Sequence, residues 1–276
     1  MSQPFLDLRA THNSHRWFLP VTPEITVGPE GKAFLFGGVG MAAAVRAMEA
    51  TCGRPVIWAT AQYLSYARVG AIVDYDVREA TVGNAISQVR VTAHIGDQEI
   101  LTVNAALGAR DGVTDQWLKA PDVPPPEDCP PVKHWRGRSD SVHGRFETRL
   151  AYGRYPTGQL EGGRSDDARL VTWVRSRDGL LASPELLAVL ADFVPQATSN
   201  ALGYSAGGNS LDNTIRYGVI QPTEWVMCDI RIDAIVNGLI HGAINLFSPD
   251  GVLMATASQS LILRIHPPPA AKTDPA

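Results

Sequence analysis

The sequence has little of what binding to nucleic acid or membranes requires. It contains 24 Lys and Arg against 28 Asp and Glu, a net charge of −4, and no basic cluster, so nucleic acid and anionic membrane surfaces are not expected partners. No apolar run approaches the roughly 18 residues of a membrane-spanning helix. The start of the chain lacks the basic and apolar regions of a signal peptide. These absences predict a cytoplasmic protein that acts on a small molecule.

Residues that bind metals or form disulfides are also scarce. The three cysteines, Cys52, Cys129 and Cys228, are an odd number without metal-like spacing, which favours a reducing compartment. The seven histidines are scattered, and none stands at ligand spacing from a cysteine or carboxylate. No Gly-x-Gly-x-x-Gly fingerprint with a following parallel strand is present. We therefore expect neither a metal nor another cofactor.

The sequence contains two copies of one pattern of secondary structure, a helix followed by alternating strands. A small-residue helix, predicted at Gly38–Ala50, precedes alternating strands that end at Arg110. A second helix is predicted at Pro184–Gln196, and its strands end at Arg264, about 154 residues after Arg110. The repetition predicts an α+β fold of two antiparallel sheets, each wrapped around one long helix and paired edge to edge.

A proline-rich segment separates the two copies. Six prolines occur in the eleven residues 121–131, a composition typical of an extended connector. We therefore predict a first repeat at 1–112, a linker at 113–145 and a second repeat at 146–266. The last residues, 267–276, are predicted to be a disordered tail.

Gln259 stands out because it lies on the apolar face of a predicted strand. That face otherwise carries Leu253, Ala255, Ala257, Leu261, Leu263 and Ile265. A buried amide costs about 1–3 kcal/mol unless its polar atoms are paired. The corresponding position of the first repeat is Ala105, so the fold does not need an amide there. Gln259 is either a core residue bonded to the backbone or part of a functional site.

Several short segments resemble the acyl-CoA thioesterase II (TesB-like) family. They are Phe36-Gly37-Gly38 before the first helix, Ser210-Leu211-Asp212, Glu224-Trp225, Asp250-Gly251-Val252-Leu253 and Ala255-Thr256-Ala257-Ser258-Gln259. The resemblance covers about residues 30–110 and 170–265, and it is closer in the second half. It implies a double hotdog fold and hydrolysis of an acyl-CoA thioester.

The resemblance also implies a set of site residues. In that family an Asp, a Thr or Ser, and a Gln position the water that attacks the thioester. Carried onto this sequence, the Asp falls on Asp212, the Gln on Gln259, and the hydroxyl position on Asp233. Free N–H groups of Gly37 and Gly38 at the start of a helix could polarise the substrate carbonyl.

Each of these residues also has a purely structural interpretation. Asp212 could bond neighbouring N–H groups in a turn, and the glycines could serve close packing of helix on sheet. Strict alternation puts Asp233 and Arg231 on a solvated face, where an ion pair is the simpler interpretation. The alternative function is an acyl-CoA or acyl-chain binding protein of the same fold. The resemblance further implies a homodimer or a higher homo-oligomer.

Overall fold

The computed structural model describes residues 5–132, 139–155 and 163–266. The tail predicted at 267–276 lies outside these residues. The strands are β1 (Arg9–Ala10), β2 (Arg16–Pro20), β3 (Thr26–Val27), β4 (Phe34–Leu35), β5 (Val56–Tyr63), β6 (Ile72–Val82), β7 (Ile86–Ile95), β8 (Gln98–Gly108), β9 (Phe146–Tyr152), β10 (Arg169–Ser176), β11 (Ala206–Ser210), β12 (Asp212–Tyr217), β13 (Val226–Val236), β14 (Leu239–Phe247) and β15 (Leu253–Ile265). The α-helices are α1 (Gly37–Cys52), α2 (Pro184–Ala191) and α3 (Thr198–Leu202), and short 3₁₀ helices span Pro23–Ile25, Pro126–Asp128, Val142–Arg145 and Val194–Ala197.

The two halves share one sheet. Thirteen strands form it in the order β1-β2-β6-β7-β8-β5-β12-β15-β14-β13-β10-β9, and β11 pairs with β15 beside this path. The halves meet where β5 and β12 pair antiparallel, with Thr60 opposite Thr214 and their hydroxyl oxygens 3.0 Å apart. The predicted edge-to-edge pairing is confirmed. Because this junction covers one edge of each half, neither half exposes that edge for aggregation.

Helix α1 lies where the sequence predicts a helix, and small residues bring it close to its neighbours. Its central stretch, Val39–Val45, is fully or almost fully buried. The helix ends at Gly53, whose φ of 65° is the left-handed conformation that glycine adopts without strain. Its contacts include both the sheet of its own half and helix α2 of the other half. The core of the molecule therefore runs continuously through both repeats.

The second predicted helix is interrupted. Helix α2 ends at Ala191, a 3₁₀ turn follows at Val194–Ala197, and α3 resumes at Thr198. Pro195 explains the break, because proline has no N–H to donate to the Ala191 carbonyl four residues earlier and its ring clashes with that carbonyl. The expectation of one unbroken helix at Pro184–Gln196 is therefore wrong. Asp192 lies at the break, directly after the apolar stretch Leu186–Ala191 of the helix.

Part of the segment predicted as a linker packs along the second half. The side chain of Gln116 accepts a hydrogen bond from the Leu253 N–H at 2.8 Å and donates to the Gly251 carbonyl at 2.9 Å. The indole N–H of Trp173 donates to the Pro124 carbonyl at 2.9 Å. Within the described ranges, no helix is both long and apolar enough to cross a membrane.

Candidate active site

A buried carboxylate at the break after α2 is the centre of the site. Asp192 is almost completely buried, and three groups donate hydrogen bonds to it. The Gly38 N–H donates to Oδ2 at 2.7 Å, and the Ser210 hydroxyl donates to Oδ1 at 2.9 Å. The Gln259 amide nitrogen also donates to Oδ1. These donors come from α1, β11 and β15, so residues of both halves of the chain bind the same carboxylate.

Burial sets the charge behaviour of this carboxylate. Removal from water raises the pKa of Asp192 to about 6, against an ordinary value of 3.8, while the hydrogen bonds from Gln259, Ser210 and Gly38 act in the opposite direction. A carboxylate with a pKa near 6 is mainly ionised at neutral pH and still basic enough to accept a proton. Those are the properties of a general base.

The start of α1 approaches Asp192 so closely that only glycine fits. A Cβ placed on Gly38 would lie 2.7 Å from the Val189 carbonyl oxygen and 2.9 Å from the Cβ of Asp192. A Cβ on Gly37 would lie 2.8 Å from Oδ2 of Asp192 and 3.0 Å from the ring of Tyr63. The glycines before the small-residue helix therefore serve close packing, and that packing places a backbone N–H on the carboxylate.

We expect Gly38→Ala to lower the free energy of unfolding by about 1–3 kcal/mol, the usual cost of overpacking, because the new methyl group must push α1 away from α2. Gly40→Ala is the matched control on the same helix. Its Cβ would meet the flexible end of Leu101 at 2.8 Å, and the exchange gains helix propensity. Urea unfolding of both variants measures the difference. Equal stability of the two would contradict the tight α1–α2 contact.

Gln259 is buried, as the alternation of its strand predicts, and is 3% exposed. Its Nε2 donates to the Ser210 hydroxyl at 2.7 Å and to Asp192, and its Oε1 has no partner among the described residues. The corresponding residue, Ala105, is also buried, on strand β8 of the first half. The amide therefore serves a polar cluster that the first half lacks.

The structure places Asp212 apart from this cluster. Its Oδ1 accepts a hydrogen bond from the Ser260 backbone N–H at 2.7 Å. Strand alternation on β12 turns Asn213 and Ile215 into the core, and both are fully buried. Asp212 therefore points to the other side, and the carboxylate that contacts Gln259 is Asp192. The observed contact of Asp212 is the one that its structural interpretation predicts, a hydrogen bond to a backbone N–H.

Asp233 also lies outside the cluster around Asp192. Its carboxylate pairs with Arg231 at 2.6 Å and is 44% exposed, on the outer face of β13. The expected replacement of the family hydroxyl by Asp233 is therefore not what the structure shows. The hydroxyl that contacts Gln259 and the buried carboxylate belongs to Ser210. The solvated ion pair that alternation suggests for Asp233 is the arrangement observed.

A cavity of about 370 Å³ opens onto the carboxylate. Residues of both halves line it, among them Phe34, Phe36, Gly37, Tyr63, Tyr66, His143, Asp192, Gln196, Asn209 and Ser210. Gly37 begins α1, and its N–H has no hydrogen-bond acceptor in the described part of the chain. Gly38 donates to Asp192, so of the two predicted N–H donors Gly37 is the one available to a ligand.

A serine motif close to the site does not have the backbone geometry of a catalytic serine. Gly203-Tyr204-Ser205-Ala206-Gly207 matches Gly-x-Ser-x-Gly, the pattern of a nucleophilic serine on a strand-to-helix turn. Here the order is reversed, since the motif follows α3 and leads into β11. The backbone carbonyl of Ser205 accepts a hydrogen bond from the His266 N–H at 2.9 Å. The local geometry is therefore not that of a nucleophile elbow.

Comparison with known protein families agrees with this architecture. The model of the acyl-CoA thioesterase N-terminal domain matches residues 27–108, and that of the acyl-CoA thioesterase C-terminal domain matches residues 126–263. The chain belongs to the acyl-CoA thioesterase II (TesB-like) family of double hotdog proteins. No functionally curated protein matches the sequence significantly.

Solved structures share the fold over nearly the whole chain. A candidate thioesterase from Novosphingobium aromaticivorans is 32% identical, with a TM-score of 0.82 over 95% of this chain and 100% of the other. A hot dog protein from Alicyclobacillus acidocaldarius is 18% identical, with a TM-score of 0.81 over 94% and 96% of the two chains. The TesB protein of Mycobacterium avium subsp. paratuberculosis is 18% identical, with a TM-score of 0.73 over 94% and 96%.

Proposed function

We propose that this protein hydrolyses an acyl-CoA thioester with a water molecule that Asp192, Ser210 and Gln259 hold and activate. The observation that carries this proposal is the buried Asp192, which has a pKa of about 6 and lies on the wall of a cavity shared by both halves. The three residue types, an acid, a hydroxyl and an amide, are those that the family resemblance implies. The amide is the predicted Gln259, whereas the acid and the hydroxyl are Asp192 and Ser210 instead of Asp212 and Asp233.

In the first step, Asp192 accepts a proton from water while the water oxygen attacks the thioester carbonyl carbon. Ser210 and Gln259 orient the carboxylate through their hydrogen bonds to its Oδ1. Negative charge develops on the carbonyl oxygen, and the unpaired Gly37 N–H at the positive end of α1 stabilises that charge. The intermediate then collapses as the carbon–sulfur bond breaks. The protonated Asp192 returns its proton to the leaving thiolate, so the products are a free acid and CoA.

Two cations without an ion pair among the described residues, Arg68 and Lys32, lie near the cavity and are suited to the CoA phosphates. Arg68 lies over the rings of Phe34 and Tyr66, with its guanidinium carbon 5.9 and 5.5 Å from their centroids. It also donates to the carbonyl of Lys32. Within the described residues neither cation forms an ion pair. Arg68 and Lys32 line a second cavity together with Asp140, which has an interaction of its own.

We expect Arg68→Ala to raise KM for acyl-CoA about three- to tenfold with little change in kcat, because it removes one charge that attracts phosphate in partly screened solvent. The control is a change of substrate. An acyl thioester of N-acetylcysteamine carries no phosphate, so its KM should not respond to the substitution. An equal increase for both substrates would contradict a phosphate-binding role.

The test of the proposed activity is release of free CoA from acyl-CoAs of different chain lengths by the purified protein. Multiple turnovers that the Asp192→Asn variant has lost would support hydrolysis at this site. Tight binding of acyl-CoA by both proteins, without release of CoA by either, would instead favour the alternative of an acyl-CoA binding protein. Thermal unfolding of the variant must show that it is folded.

Homodimerisation is a further part of the proposal. The site draws on both halves of one chain, so association is not needed to complete it. Light scattering at high protein concentration should give about twice the chain mass of 29.7 kDa. A mass near that of one chain would contradict this prediction.

A further inference from the structure

A second amide side chain lies on the wall of the cavity, and its polar atoms have no partner. Gln196 belongs to the 3₁₀ helix Val194–Ala197 and lines the cavity together with Asp192 and Ser210. Both Nε2 and Oε1 of Gln196 are buried, and neither forms a hydrogen bond within the described part of the chain. A group that both donates and accepts is therefore available to a ligand in the cavity.

The fold itself does not account for this amide. Asn200, four residues further along, is paired at both ends, since its Oδ1 accepts from the Arg154 N–H and its Nδ2 donates to the Arg169 carbonyl, each at 2.9 Å. Gln196 has no such contact among the described residues. Each buried polar group without a partner costs about 1–3 kcal/mol, so an apolar side chain of the same length would suit the fold better. A ligand that completes the hydrogen bonds explains why the amide is there.

The position of Gln196 limits which part of a substrate it contacts. It follows Asp192 by four residues, which is about one helical turn of backbone, or a rise of about 6 Å. Both side chains line the same cavity. If Asp192 activates the water that attacks the thioester, a substrate group that pairs with Gln196 must be only a few atoms from the thioester carbon.

The two parts of an acyl-CoA on either side of the thioester differ in what they offer an amide. A simple fatty acyl chain has no hydrogen-bonding group next to the carbonyl. The thiol part begins with pantetheine, which carries two amides, the first of them two carbons from the sulfur. Pantetheine therefore offers N–H donors and carbonyl acceptors, which match Oε1 and Nε2 of Gln196.

We propose that Gln196 recognises the pantetheine part of the substrate: its Oε1 accepts the N–H of the first pantetheine amide, and its Nε2 donates to a carbonyl of the same pantetheine. This inference rests on the proposed thioesterase activity. It makes Gln196 a specificity-determining residue, which selects thioesters of pantetheine-like thiols over those of simple thiols. A site whose buried polar groups are paired by the substrate discriminates against an analogue that leaves them unpaired.

The experiment keeps the acyl group constant and changes the thiol. The acyl group is the one whose CoA thioester the purified protein hydrolyses fastest, and it is joined either to N-acetylcysteamine or to 2-acetoxyethanethiol, in which an ester oxygen replaces the amide N–H. The natural protein should have a kcat/KM about tenfold or more higher for the N-acetylcysteamine thioester, because the ester oxygen offers no hydrogen to Oε1 of Gln196. Gln196→Met, which keeps the length of the side chain without its amide, should reduce this preference to less than about threefold. Gln196→Leu is the second variant if Gln196→Met does not fold.

Ser65→Ala is the matched control. Ser65 also lines the cavity, but its hydroxyl already accepts a hydrogen bond from the Gln98 side chain at 2.7 Å, so the control should leave the preference unchanged. Equal kcat/KM for the two thioesters, or a preference that survives both substitutions of Gln196, would overturn the inference while hydrolysis of acyl-CoA continues. Failure to release CoA from any acyl-CoA would instead remove the proposed function, and the inference with it.

Discussion

Replacing Asp192 with asparagine should lower kcat for acyl-CoA hydrolysis by about 10²–10⁴-fold, because the variant loses the group that accepts the proton of the attacking water. Wild-type kcat should rise with pH to a plateau above about 6, the pKa of the buried carboxyl. The residual activity of the variant should lack that rise. Steady-state release of free CoA between pH 5 and 8 measures both effects.

Asp212→Asn is the matched control for this substitution. Asparagine keeps the oxygen that accepts the Ser260 N–H, so the control should retain kcat within about threefold and keep the dependence on a pKa near 6. If Asp212→Asn instead lost as much activity as Asp192→Asn, the assignment of the base to Asp192 would be wrong. The family Asp would then belong at the position that the sequence suggested.

The same substitution should change the pH dependence of stability. The folded-state pKa of Asp192 is raised from 3.8 to about 6, so the folded protein holds its proton more tightly than the unfolded chain. Stability from this group is therefore complete below pH 4 and falls as pH rises through 6, by about 3 kcal/mol. Asp192→Asn lacks this loss. Its free energy of unfolding relative to wild type should improve by up to that amount between pH 4 and 7, as measured by urea unfolding.

Gln259→Leu should lower kcat by about 10²-fold, the usual scale for removing one positioned polar group from an active site. The substitution removes a donor to Asp192, so the pKa of the carboxyl should rise and the acid limb of the pH–rate profile should move to higher pH. Combined with Asp192→Asn it should cost little more than the worse single variant, because both residues act on one water. Kinetics of the two single variants and the double variant check this expectation.

The effect of Gln259→Leu on stability follows from the observed partners. A glutamine bonded only to water could be replaced without loss, but Gln259 donates to Asp192 and Ser210. The substitution leaves a buried carboxylate with fewer donors, so we expect a loss of about 1–3 kcal/mol at neutral pH. Ser258→Ala, an exposed neighbour on the same strand, should change neither activity nor stability. A large stability loss with unchanged kcat would make Gln259 a structural residue.

The fold follows from local patterns that one sequence can display. Alternation along Leu253–Ile265 predicts both the strand and the burial of Gln259, and the glycines before a small-residue run predict α1. The repeat about 154 residues apart predicts two similar halves. Each of these signals depends on neighbouring residues, so no knowledge of distant contacts is needed to read them.

The site depends on contacts that no local pattern contains. Asp192 is an acidic residue at the end of the apolar run Leu186–Ala191, and this anomaly was the signal available in the sequence. Its place in the site depends on a contact with Gly38, which is 154 residues away in the sequence. A predicted continuous helix through Gln196 also concealed the break at which the carboxylate sits.

The family resemblance supplied the three residue types that meet around the buried carboxylate and the position of Gln259, but it did not supply the positions of Asp192 and Ser210. Ser210 belongs to the tripeptide Ser210-Leu211-Asp212, but the resemblance places the acid on Asp212 and the hydroxyl on Asp233. Alternation on β12 argues against Asp212, because Asn213 and Ile215 face the core and Asp212 cannot. For Asp233, alternation correctly indicated the exposed pair with Arg231.

The most direct test of the account is a single turnover of acyl-CoA with excess enzyme in ¹⁸O-labelled water, followed by mass spectrometry of the released acid. Activation of water by Asp192 predicts that the first molecule of acid already carries one ¹⁸O atom from the solvent. Asp192→Asn should release labelled acid at a rate lower by about 10²–10⁴-fold. Unlabelled acid in the first turnover would show that an enzyme carboxylate attacked the thioester, and the absence of any released acid would show that the protein does not hydrolyse acyl-CoA.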